Sequence, residues 1–322
     1  MNRCRPVATP PNSVSAESIR AAAAALEGVA VRTRLQPVTL PGGGTLFVKC
    51  EQDQPIGAFK IRGAWTALTR LAEPTRRRGV VTHSSGNHAQ AIAFAAQRLG
   101  IPAVIVMPAD APKVKIAGVR RYGGEIVFVQ DRSQRDPTCR AIAAERGMVM
   151  VPPYEHADVI AGQGTVGLEI LEQCPDVRTV LVPVGGGGLI GGIATWFRSE
   201  APHVHVIGVE PVGAPKLSAA LNAGSPTAVP NPHSLADGLL PAALGDLPFS
   251  AIRGTVKDAV QVDDDAIRAA VRFLHAAGLT VEPSGAITTA AVLAGLVDAE
   301  PPLVAVASGG NIDPDLLQSL VT

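Results

Sequence analysis

Residues 179–197 read TVLVPVGGGGLIGGIATWF. Thr179 to Val184 is a short run rich in β-branched residues, Gly185 to Gly188 is a glycine run, and the apolar positions from Leu189 onward recur at helical spacing. Strand, glycine loop and helix in that order aim backbone N–H groups and the positive end of a helix dipole at one point, as a phosphate requires. The stretch therefore predicts an α/β fold with an anion site. Its letters leave three readings open. Gly186, Gly188 and Gly191 satisfy GxGxxG, and Glu210 closes the next strand about twenty residues on, as a dinucleotide fingerprint requires. The loop lies past the middle of the chain, however, and four consecutive glycines make a flat cup of amides suited to one terminal phosphate. A glycine turn that only lets helix and sheet pack closely is the third.

The same alternation runs through the rest of the 322 residues. Short apolar, β-branched runs at 45–50, 80–82, 103–107, 125–129, 148–151, 204–209 and 303–307 are separated by helix-period segments, which is the βαβ pattern of parallel sheets covered on both faces. A helix is expected from near Ser18, after a loose Pro- and Ser-rich arm. At about 150 residues per domain the length gives roughly two domains. Seams near Gln52 and Pro153 predict a large domain of residues 1–52 and 153–322, interrupted by a smaller one of residues 53–152.

Composition excludes several classes of function. Twenty-eight Lys and Arg balance 28 Asp and Glu, so the chain has no basic field for nucleic acid or an anionic membrane. No apolar run approaches a membrane span, and the N-terminus lacks a signal-peptide core. Cys4, Cys50, Cys139 and Cys174 are scattered, without a CxxC pair, which fits a reducing cytoplasm rather than a zinc or disulfide scaffold. A small molecule is the expected partner.

Two further segments carry chemistry. Lys60 lies in PIGAFKIRGAW, behind Phe59, where apolar neighbours and the cation Arg62 are expected to drive its ammonium toward the neutral, nucleophilic amine. A snorkelling helix lysine is the bland alternative. In GVVTHSSGNHAQAIAF, Ser84, Ser85, Gly86, Asn87 and His88 cluster between a strand and a helix. N-capping needs one of these residues, and the surplus of hydroxyls and amides suits a carboxylate. Ser308, in LVAVASGGN, puts a neutral hydroxyl at the carboxyl end of a strand, where open α/β sheets bind ligands.

Together with MPADAPKVK (107–115), VIAGQGTVGLEI (159–170), IGVEP (207–211), LADGL (235–239) and VEPSGA (281–286), these segments resemble the serine/threonine dehydratase and serine racemase family of pyridoxal-phosphate enzymes. The resemblance covers nearly the whole chain. It implies a two-lobed, tryptophan-synthase-β-like structure (fold type II), each lobe a mostly parallel sheet flanked by helices, and a homodimer. It implies pyridoxal 5′-phosphate as cofactor, with Lys60 as the Schiff-base lysine and Phe59 beside the ring. Asn87 would meet the ring hydroxyl, Gly185, Gly186, Gly187, Gly188 and Leu189 the phosphate, and Ser308 the ring nitrogen. A neutral hydroxyl there makes the ring a weaker electron sink and favours prompt β-elimination. Ser84, Ser85, Asn87 and His88 would hold the substrate carboxylate, Lys60 would take the α-proton, and the cofactor phosphate would protonate the leaving hydroxyl. Ser85 matches the second base of racemases.

The implied activity is dehydration of L-threonine, L-serine or a related β-hydroxy amino acid, with serine racemase or hydroxyaspartate chemistry as the alternative and a non-catalytic ligand-binding scaffold as a distant one. Two departures bear on the choice. Tyr154 stands where racemases carry asparagine and dehydratases carry aromatic residues. In the racemase cation site, Glu210 and Ala214 match, but Lys216 replaces the aspartate. An ammonium repels a metal, so Lys216 is expected to pair with Glu210 and no metal to bind. His88 and Ala89 depart from the cysteine synthases, and no arginine cluster suits the phosphorylated substrate of threonine synthase. The chain ends soon after SGGN, so feedback through an appended regulatory domain is not expected. His203 and His205 read as a solvated pair, Asp263 to Asp265 as helix punctuation, and Arg76 to Arg78 as a solvated turn.

Overall fold

The computed structural model describes residues 14–84, 86–111 and 113–322. Among them ten strands run in chain order: β1 Leu35–Thr39, β2 Thr45–Cys50, β3 Val80–His83, β4 Ala103–Pro108, β5 Glu125–Val129, β6 Val149–Met150, β7 Thr179–Pro183, β8 His205–Pro211, β9 Ala259–Val262 and β10 Leu303–Ala307. They build two sheets, one of six strands in the order β1-β2-β10-β7-β8-β9 and one of four in the order β5-β4-β3-β6. Every pairing is parallel except β1 with β2.

The β-branched alternation explains why both faces of each sheet are covered. In the large sheet Val180, Val182, Val304 and Val306 pack toward the helices Ala157–Gln173 and Gly188–Glu200. Leu181, Ala305 and Ala307, one residue out of phase, pack toward the helices Asp264–Ala276 and Pro283–Leu293. The small sheet divides in the same way, with Val80, Ile105 and Met107 on one core and Val81, Val104 and Val106 on the other. Each buried Val, Leu, Ile or Met among these contributes roughly 1.5–3 kcal/mol.

Two edge strands are additions to the sequence reading. β1 carries Pro37, whose missing N–H is tolerated at an edge, and pairs antiparallel with β2. β9 is four residues long and closes the opposite edge. The first helix begins at Ala16 rather than near Ser18, because Ser15 caps it by accepting from the Ser18 amide while the Ser18 hydroxyl caps in return. Asp263 caps the helix that follows it. The cores are threaded by glycines at helix crossings. Gly192 meets Gly164 so closely that a methyl on Gly192 would overlap the Ile160 carbonyl and the Gly164 backbone.

Gly192→Ala therefore tests this crossing. The helix gains at most about 1 kcal/mol of propensity, whereas forcing the two backbones apart costs about 1–3 kcal/mol. The expected result is a lower urea midpoint with an unchanged slope; a higher midpoint would contradict the packing described.

Candidate active site

The site forms where strands end. β7 runs into Gly185–Gly188, β3 into Ser84, and β10 into Ser308, so three carboxyl ends converge. Lys60, the first residue of the helix Lys60–Arg70, comes to the same place because the segment before it is stitched to the end of β10. Ala58 bridges Gly309, the Phe59 amide donates to the Ser308 carbonyl at 3.1 Å, and the Gly310 amide donates to the Gly57 carbonyl at 2.9 Å.

Lys60 Nζ donates to the Pro153 carbonyl at 2.9 Å and lies 5.0 Å from the centre of the Phe59 ring. No carboxylate pairs with it among the described residues. The residue is half-buried, and burial draws the ammonium down from 10.5 to about 8. The expected contribution of Arg62 to that shift is not found. Its guanidinium points away, to Glu51 at 2.8 Å and Glu169 at 2.7 Å, in a buried cluster that also holds Lys49, bonded to Glu169 at 2.5 Å. Arg62 anchors the helix rather than tuning its first residue.

Asn87 opens the helix Asn87–Leu99, and its amide is fixed from both ends. Nδ2 donates to Glu282 Oε1 at 2.5 Å, and Oδ1 accepts from Asn311 Nδ2 at 2.8 Å. The second Nδ2 hydrogen has no partner among the described residues. His88 Nε2 lies 3.1 Å from the Val151 carbonyl and so must donate, which leaves Nδ1 bare and buried. Burial foremost, and then the charge of Lys60, push the His88 imidazole down to about 3, so it is neutral throughout the physiological range. Ser84 Oγ accepts from the Gly86 amide at 3.2 Å. Ser85 lies outside the described residues.

The amides of Gly185 to Leu189 have no hydrogen-bond acceptor among the described residues, although all but Gly185 are buried. Gly187, at φ 93°, takes the left-handed turn that sets the helix Gly188–Glu200 behind this row. The Tyr154 ring lies against one side of the loop, where a methyl on Gly186 would run into it. On the other flank the Gly245 amide donates to the Gly186 carbonyl at 3.1 Å. Ser308 is buried, and its hydroxyl makes no hydrogen bond among the described residues. At β8, Lys216 Nζ donates to the Ala214 carbonyl at 2.7 Å and lies 3.7 Å from Glu210, with both side chains fully buried.

The family model for pyridoxal-phosphate dependent enzymes matches residues 28–309. The chain belongs to that family. Among its relatives, an L-threonine ammonia-lyase of Thermotoga maritima is 40% identical over 96% of this chain and 78% of its own length. A serine racemase of Oryza sativa subsp. indica is 41% identical over 85% of this chain and 83% of its own. The solved structure of maize serine racemase superposes with a TM-score of 0.89 at 38% identity, covering 95% of this chain and 96% of that one. The enzyme thus has the fold-type-II architecture and uses pyridoxal phosphate. Its residues fit the group: a row of unpaired amides at a helix N-terminus suits a phosphate, and a buried lysine without a counter-ion suits an aldehyde.

The sequence reading missed Glu282. Preceding a proline at a helix start, it reads as an N-cap, but its side chain caps nothing and turns to Asn87 instead. Burial raises its carboxyl from 4.5 to about 7. The folded chain thus retains a proton that the unfolded chain releases near pH 4.5. That stabilisation is complete below pH 4.5 and is lost as the pH rises through 7. Glu282→Gln should remove the loss: between pH 5 and 8 the cofactor-free parent should lose roughly 1–3 kcal/mol relative to the variant in urea unfolding. Parallel pH profiles would contradict the shift.

Proposed function

We propose that the enzyme is an L-threonine/L-serine ammonia-lyase that converts a β-hydroxy amino acid into a 2-oxo acid and ammonia. Lys60 carries this reading, an amine drawn down to about 8 by burial and paired with no carboxylate among the described residues. When bound, the cofactor supplies the electron sink that makes the substrate α-hydrogen acidic.

The chain's own residues supply the rest. Lys60 Nζ, once free of its bond to the cofactor, accepts the α-proton. Ser84, Ser85 and Asn87, with the backbone N–H of His88, would orient the substrate carboxylate, while the neutral His88 ring donates its one N–H to the Val151 carbonyl. The amides of Gly185, Gly186, Gly187, Gly188 and Leu189 would hold the phosphate, Phe59 would pack beside the ring, and the free Nδ2 hydrogen of Asn87 would meet its hydroxyl. Ser308, buried at the end of β10, would offer the ring nitrogen a hydroxyl rather than a carboxylate, which makes the group a weaker electron sink and favours prompt elimination. Overall, water is lost across Cα–Cβ and a second water releases ammonia, which balances the conversion.

Tyr154, whose ring walls the glycine loop, supports elimination over racemisation through its resemblance to the aromatic residue of dehydratases where racemases carry asparagine. Lys216 bears on metals: its ammonium occupies the space between Glu210 and the Ala214 carbonyl, and the reading is that no divalent ion is needed there. The same reading takes residues 53–152 as a smaller domain carrying Lys60 and the Ser84–His88 turn, inserted between residues 1–52 and 153–322. The enzyme is read as a cytoplasmic homodimer. Serine racemase is the second reading, favoured by relatives of that name.

Incubation with L-serine, D-serine, L-threonine and 3-hydroxyaspartate, with and without EDTA, tests this. Pyruvate or 2-oxobutyrate should form from the L-β-hydroxy amino acids, survive EDTA, and fall by more than 1,000-fold in Lys60→Ala, the scale of losing a catalytic nucleophile and base. D-serine appearing from L-serine with little oxo acid would establish the racemase instead.

A further inference from the structure

Lys115 has no part in the reaction as derived so far, yet it stands at the same turn. Its residue is 7% exposed, and Nζ is paired with Asp237, whose side chain is 51% exposed. Asp237 belongs to the short turn Asp237–Leu239 of the large-sheet half, whereas Lys115 belongs to the helix Lys113–Arg121 beside the small sheet. The pair therefore spans the two halves. Gly86, in the middle of the Ser84–Asn87 turn, shows where the ammonium faces. A methyl on Gly86 would find one neighbour among the described residues, Lys115 Nζ at 4.0 Å, and otherwise open space. The face of the turn thus looks across a gap onto a buried cation.

The other groups of the turn are neutral. Ser84 is engaged with the Gly86 amide, Asn87 with Glu282 and Asn311, and His88 carries no charge. Hydroxyls and amides orient a carboxylate, but they attract it far less than an ammonium does. A buried lysine in turn requires an anion, and a half-exposed aspartate on a three-residue turn is one that can be exchanged.

We infer that Lys115 is a substrate-binding residue whose ammonium receives the amino acid's carboxylate across Gly86, with Asp237 as its counter-ion in the empty enzyme. The inference rests on the proposed placement of the carboxylate at this turn and adds the charge that draws it there. Asp237 competes with the incoming carboxylate, so the two members of the pair act on binding in opposite directions, which no purely structural salt bridge would do.

The test uses the cofactor-loaded enzyme and the variants Lys115→Met, Lys115→Arg and Asp237→Asn. Binding of acetate and malonate, unreactive carboxylates, is read from the shift of the cofactor absorbance band, and KM and kcat are read with L-serine and L-threonine. Lys115→Met should weaken carboxylate binding and raise KM by tenfold or more while kcat stays within threefold, and Lys115→Arg should restore most of the binding. Asp237→Asn should tighten carboxylate binding by threefold or more. The inference is overturned if both neutral variants shift binding in the same direction, or if Lys115→Met lowers kcat and leaves carboxylate binding unchanged. Because the carboxylate titration needs no turnover, it decides the role of Lys115 even if neither amino acid is a substrate.

Discussion

The Arg62 guanidinium, two residues beyond Lys60, is held by two buried carboxylates, and the rest of the site depends on that arrangement. Glu51 and Glu169 come from opposite sides, one from the end of β2 and the other from the helix Ala157–Gln173, so the first turn of the lysine helix is fixed to both. Lys49 joins the cluster and leaves it with two cations and two carboxylates. With the charges matched there, none is left for Lys60. Among the described residues its ammonium finds only the Pro153 carbonyl, a dipole too weak to offset burial, and the amine is drawn down to about 8.

The surroundings of Lys60 extend the same logic. His88 is neutral, Glu282 holds its proton up to about pH 7, and Ser308 offers a hydroxyl. Below about pH 7 these three groups bring no fixed charge to the surroundings of Lys60. Anions are handled by other means: a row of backbone amides on one side and, by inference, Lys115 on the other. The amides at the helix start are supplied by topology rather than by charged side chains.

Much of this was legible in the sequence. β2, β5 and β10 fall at the residues that the β-branched runs mark, and Lys60 and Asn87, both singled out by their motifs, come to the end of β10 through the Phe59 amide and the Asn311 side chain. What escaped depended on long-range pairing. β1 contains a proline and β9 is short and half-buried, so neither shows the buried-strand signature. Arg62 was read as a neighbour tuning Lys60, because sequence adjacency does not show that a helix turns successive side chains to different faces. Glu282 and Lys115 acquire meaning only when distant segments meet: Asn87 and Glu282 lie 195 residues apart, and Lys115 and Asp237 lie 122 apart.

Borohydride reduction of the cofactor-loaded protein, followed by mass mapping of its peptides, tests most directly whether Lys60 is the amine around which the site is built. Reduction fixes the cofactor to whichever lysine carries it. The account predicts one modified site, Lys60, out of six lysines in the chain. Modification of Lys49, Lys113, Lys115, Lys216 or Lys257 in its place, or a protein that stays unmodified, would contradict it.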